Sequence, residues 1–191
     1  MRHLFFLLMA FAASHAQYGQ PAVEVFLPPV HGPEPVLAFA QARDVVRAIY
    51  SEIGVRIAWT TTRSLPSGCT KQPLHVQIVT ALGSAEGFSS AEAMAFANPF
   101  AKTGPCVTLF MDRLTAEIHT NPLHTGNLLG HVLAHEMGHV LQGIARHAET
   151  GLMKSKWSLH DTAQMWSLGH LHLTEDDADL ILRSLRQPLV N

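Results

Sequence analysis

Cysteine is scarce in this chain of 191 residues: there are two, Cys69 and Cys106. Two cannot build a four-cysteine zinc site or a disulfide-dense scaffold. Neither has a close second cysteine, which excludes a finger of two cysteines and two histidines. Charge is scarce too. Only 15% of residues are charged and the formal net charge is −2, without the basic excess of a nucleic-acid binder. No nucleic-acid partner is therefore expected. An apolar content of 47% excludes a disordered, charge-rich chain. Long hydrophobic runs are also missing: Leu4 to Ala13 is about half of the roughly 20 residues that a spanning helix needs. Internal repeats, low-complexity stretches and a dividing linker are absent, and the length suits one domain. What the sequence holds in excess is histidine. There are 13, and seven of them lie between His131 and His172.

The first residues read as an address. Arg2 and His3 precede the apolar run, and Ser14-His15-Ala16 puts small residues where a signal peptidase reads. Residues 1–16 are expected to be a secretory signal peptide cut before Gln17, leaving residues 17–191 as a single domain. The product would be secreted or periplasmic, with no stable membrane insertion after cleavage. An oxidising compartment lets Cys69 and Cys106 pair, and such a bridge would contribute roughly 3–4 kcal/mol. Two independent buried thiols are the alternative.

Patterning predicts a small α+β domain. Val23 to Leu27 reads as a strand, and Pro35 to Ile53 has the 3.6-residue apolar rhythm of a helix, ended by Gly54. Val55 to Thr60, Leu74 to Thr80 and Cys106 to Met111 read as further strands, and Thr62 to Pro73 as a loop. Residues 81–105, with Gly83, Gly87, Pro99 and Gly104, stay unassigned between a short helix and a lid or loop. Thr115 to His124 reads as a connecting turn or short helix. Asn127 is expected to cap a helix from Leu128 to Gln142 that stops at Gly143. A short helix over Leu159 to Ser167 follows. Thr174 caps a last helix, Glu175 to Arg186, with acidic residues at its positive end.

Chemistry concentrates in His135-Glu136-Met137-Gly138-His139. Residues four apart share one helical face, so both imidazoles can reach one ion. Glu136 projects beside the first ligand, where it can take a proton from a metal-bound water. This is the H-E-x-x-H zinc hydrolase arrangement. One zinc ion suits it: neutral imidazole is a good ligand, and an open fourth position lowers the pKa of bound water to about 7. The bland alternative is a histidine-rich surface helix. A third ligand is needed. Gly143 lets the chain turn out of the helix, and His147 can swing back to the ion. Gly151-Leu152-Met153 can form a tight turn with Met153 under the site. Glu175, Asp176 and Asp177, or Glu149, His160 and Asp161, are the alternative ligand sources. His131, four before His135, reads as a packing or supporting group, and His170 and His172 as solvated or structural.

The order HExxH, Gly, His, then Met in a turn resembles the metzincin metallopeptidases. The spacing is HExxHxxxGxxxH, each interval after the second histidine one residue longer than in HExxHxxGxxH, and no Tyr stands soon after Met153. The likeness is tight over residues 131–153 and loose over 23–187. It implies a small mixed twisted sheet of four to five strands, a long N-terminal helix, an active-site helix and a C-terminal helix. It also implies a zinc endopeptidase whose peptide or protein substrate lies along an edge strand, here expected at Cys106 to Phe110 through Val107, Thr108 and Leu109. The rival expectation is an exported metal- or peptide-binding module without turnover.

Overall fold

Alternation in the first strand translates directly into a sheet with one covered face. In β1 (Ala22–Phe26), Val23 and Val25 are buried while Ala22 and Glu24 are exposed. The computed structural model describes residues 20–61, 74–79, 93–100, 105–111, 113–114, 122–167 and 169–186. The expected signal peptide, the loop over residues 62–73 and Cys69 lie outside the described residues.

Helix α1 (Pro33–Glu52) starts two residues before the expected Pro35, because Pro33 supplies the φ that a first helical position needs. It ends as expected. Gly54 adopts φ 74°, Gly54 N–H donates to Ser51 C=O and Val55 N–H to Tyr50 C=O, both at 3.0 Å. These two bonds are the Schellman closure. Strands β2 (Arg56–Thr60), β3 (Leu74–Val79), β4 (Ala95–Asn98) and β5 (Cys106–Phe110) follow. Helices α2 (Pro122–Gln142), α3 (Leu159–Ser167) and α4 (Glu175–Arg186) complete the described elements.

The five strands form one sheet in the order β2-β1-β3-β5-β4. All neighbours are parallel except β4, which runs antiparallel to β5 with Ala95 opposite Leu109 and Ala97 opposite Val107. The fold is thus mixed α/β, compatible with the α+β expectation. Two expectations are corrected here. β5 is an interior strand buried along its whole length, so Val107, Thr108 and Leu109 have no open edge to offer. The edge is β4, which arises inside the unassigned 81–105 stretch. Asn127 is not a helix cap: α2 begins at Pro122, again with proline at the first position, and the Asn127 amide donates to Met165 C=O at 2.8 Å.

Helix α1 makes its most extensive contact with α2. A stripe of small residues at helical spacing, Gly126, Gly130, Ala134 and Gly138, permits it. A Cβ on Gly130 would stand 2.6 Å from Val45 Cβ and 3.0 Å from Ala42 C=O, and one on Gly126 would stand 2.9 Å from Ala38 C=O. Tyr50, fully buried, donates from its hydroxyl to Ala134 C=O at 2.9 Å. Phe39, Val46 and Ile49 of α1 join Leu129, Leu133 and Met137 of α2 and Val25 and Leu109 of the sheet in one core.

Candidate metal centre

The small-residue stripe faces α1, and a second stripe, one residue further on, carries His131, His135 and His139. Each member of this stripe is buried. A buried imidazole is held neutral unless it is paired, so the partners of each ring decide its role.

His131 is satisfied twice. Its Nδ1 lies 2.8 Å from Asn127 C=O, and its Nε2 accepts Leu171 N–H at 3.0 Å. This fixes the neutral Nδ1–H tautomer, and burial lowers its pKa to about 4. No lone pair remains for an ion, and His131 is a packing group, as the sequence suggests.

His135 and His139 differ. The Nδ1–H of His135 donates to Leu152 C=O at 2.9 Å, leaving a lone pair on Nε2. That Nε2 stands 3.1 Å from the Nε2 of His139. His147 returns to the same place: its ring centroid lies 4.8 Å from that of His139 and 5.4 Å from that of His135. One ligand atom from each of the three lies within 4.8 Å of the others, a grouping able to hold a metal ion. His147 is exposed while its two partners are buried, so the cluster opens to solvent on the His147 side. Burial, then the neighbouring imidazoles, lowers the pKa of His139 to about 4. Burial also lowers that of His135.

The longer spacing closes because both extra residues are absorbed at the turn. The helix runs on to Gln142, and Gly143 reverses it at φ 68° with its N–H shared between His139 C=O at 3.1 Å and Val140 C=O at 3.2 Å. The returning segment pairs Ala148 N–H with Met153 C=O at 2.8 Å, folding residues 148–154 into the expected turn. Met153 is fully buried, and its sulfur occupies the place a Cβ on Gly138 would take, 2.5 Å from that position. Gly138 inside the HExxH motif is therefore what lets Met153 lie beneath the histidines.

Glu136 projects toward the sheet rather than the core. Burial raises its pKa to about 7, opposed by a hydrogen bond from the Ala97 backbone of β4. Met94 C=O accepts Phe110 N–H at 2.9 Å. By the alternation of an antiparallel ladder, the backbone groups of Ala95 and Ala97 then face the open edge. The carboxylate thus reaches the outer side of β4, which pairs with no further strand among the described residues.

No carboxylate joins this histidine group among the described residues. Glu149, His160, Glu175 and Asp176 are exposed elsewhere. Asp161 is held by Lys154 and Ser158. Asp177 is buried behind the cluster, accepting from Arg146 at 2.6 Å, Gln142 at 3.1 Å and the Thr174 hydroxyl at 2.6 Å. Its charge still favours the cationic form of both His135 and His139. Sequence reasoning missed three contributors, Leu152 C=O, Ala97, and Trp157, whose Nε1–H donates to Leu152 C=O at 3.1 Å, and took Asp177 for an alternative ligand rather than an anion behind the cluster. Only the glycine stripe could have been read in advance, from its four-residue period.

No protein-family model matches the chain, and no curated protein matches its sequence significantly.

Proposed function

We propose that the chain is an exported zinc-dependent endopeptidase of metzincin-like architecture. The observation that carries this reading is the convergence of His135, His139 and His147 beside Glu136, at the open edge of β4. The donor set suits zinc. Two nitrogens bound to a tetrahedral zinc stand about 3.3–3.4 Å apart, close to the 3.1 Å between the two Nε2 atoms. The locked tautomer of His135 directs a lone pair there, and the set leaves room for a fourth, open position.

His135, His139 and His147 would hold the ion, which when bound supplies Lewis acidity toward a carbonyl and an acidic water. Glu136 would serve as the proton acceptor for the attacking water and the proton donor to the departing amine. Its carboxyl, raised to about 7 by burial, is matched to both tasks near neutral pH. Among the described residues no strand pairs with the outer side of β4, so an extended peptide can add there as a further strand through Ala95 and the Ala97 C=O. Met153 fills the floor and moves no proton. The Cys69–Cys106 bridge and the signal peptide are part of the same proposal, as features of an exported enzyme.

Glu136→Gln tests the reading on a mixture of unstructured peptides. Hydrolysis is expected to fall about 10²–10⁴-fold with zinc content unchanged. Undiminished hydrolysis would overturn the role of Glu136, and no hydrolysis by the zinc-loaded wild type would leave a metal- or peptide-binding module instead.

A further inference from the structure

A second grouping uses none of the residues of the first. Glu52 ends α1, and His170 and His172 stand on the segment before α4. His170 Nε2 lies 2.8 Å from Glu52 Oε1 and His172 Nδ1 lies 2.7 Å from Glu52 Oε2. The two ring centroids are 5.1 Å apart. One ligand atom from each of the three residues lies within 4.8 Å of the others.

The placement follows from the H-x-H pattern. In an extended segment, residues two apart share a face. Leu171 points inward and is buried, which turns both imidazoles outward on the same side. The backbone between them is pinned: Leu171 N–H donates to His131 at 3.0 Å, and His172 C=O accepts Leu152 N–H at 2.8 Å. An exposed imidazole–carboxylate pair alone is worth little. Two of them converging on separate oxygens of one carboxylate, on an anchored backbone, make a preformed three-ligand set.

We propose that Glu52, His170 and His172 form a second divalent-cation site, of two imidazoles and one carboxylate, with waters completing the shell. Imidazole donors select zinc, copper or nickel over calcium or magnesium. The bound ion would take the place of the hydrogen bonds that now join the two rings to Glu52. It ties the end of α1 to the segment that supports Leu152, whose carbonyl orients His135. The site does not depend on the peptidase reading.

Calorimetric titration of zinc(II), repeated with cobalt(II), into the chelator-stripped full chain tests it. The wild type is expected to bind two equivalents. The double variant His170→Ala/His172→Ala should lose the second, or bind it at least tenfold more weakly, and keep the first. His147→Ala should show the converse. His172→Ala alone, removing a ring 59% exposed, guards against misfolding and should weaken the same event. A single equivalent in the wild type, or two undiminished equivalents in both the double variant and His172→Ala, would overturn the site.

Discussion

The chain gathers histidines twice, and the two gatherings are built on opposite logic. His135, His139 and His147 converge with no carboxylate among them, and two of the rings are buried. Burial disfavours their charge, and the tautomer of His135 is fixed by a backbone carbonyl. The result is neutral nitrogen lone pairs facing one another, an arrangement that only a shared proton or a cation satisfies. His170 and His172 are partly or largely solvated and carry their own anion, Glu52. That set is satisfied without an ion. The first cluster thus leaves buried nitrogen atoms able to take a cation, whereas the second is satisfied by its own anion.

The sharpest way to break the comparison is Glu136→Gln, which touches the buried centre alone. Hydrolysis should fall by the factor given above while both cation sites keep their stoichiometry. Next in size is the anion behind each cluster. Asp177→Ala leaves Arg146 and Gln142 without their buried acceptor and removes a partner of Thr174. It should cost about 3 kcal/mol in urea unfolding, whereas Glu52→Ala, at an exposed pair, should cost less than about 1 kcal/mol. Equal costs would erase the distinction. A smaller effect is expected of Gly130→Val, which inserts a side chain where α1 packs closely on the helix of the buried cluster. About 1–3 kcal/mol of stability should be lost, read as a lower thermal midpoint. Smallest is Asp161→Asn, in the brace just beyond the Met153 turn. The Lys154 ammonium, then the Ser158 donors, hold the Asp161 carboxyl at about 2, below the ordinary value near 3.9. A depressed carboxyl contributes stability above its unfolded value, lost as pH falls from about 4 through 2. The variant should be less stable near neutrality by on the order of 1 kcal/mol and show a shallower acid limb in denaturation.

Much of the buried centre was legible because its signals are local. HExxH puts two imidazoles and a carboxylate on one helical turn, Gly143 announces the reversal, and His147 lies four residues beyond it. Capping was legible for the same reason: Thr174 and Asp177 exchange bonds across the first turn of α4 at 2.6 and 3.2 Å. The α2 start was misplaced because Asn127 reads as a helix cap, whereas its amide bonds to Met165 C=O and the helix already begins at Pro122. Strand β4 was missed because Ala-Phe-Ala-Asn carries no β-branched residue and only half an alternation. Its strand character comes from pairing with β5. Placing the edge at β5 followed from not seeing β4. The exposed cluster was least legible, since Glu52 and His170 are 118 residues apart and only the fold brings them together.

The most direct test of the central claim is zinc content by elemental analysis after gel filtration, with wild type, His147→Ala and His172→Ala side by side. One zinc per chain is expected to stay at the buried centre of the wild type, with the exposed site, satisfied without an ion, losing its own on the column. The retained zinc should be lost in His147→Ala and kept in His172→Ala. Zinc retained in full by His147→Ala, or absent from zinc-supplied wild type, would contradict it.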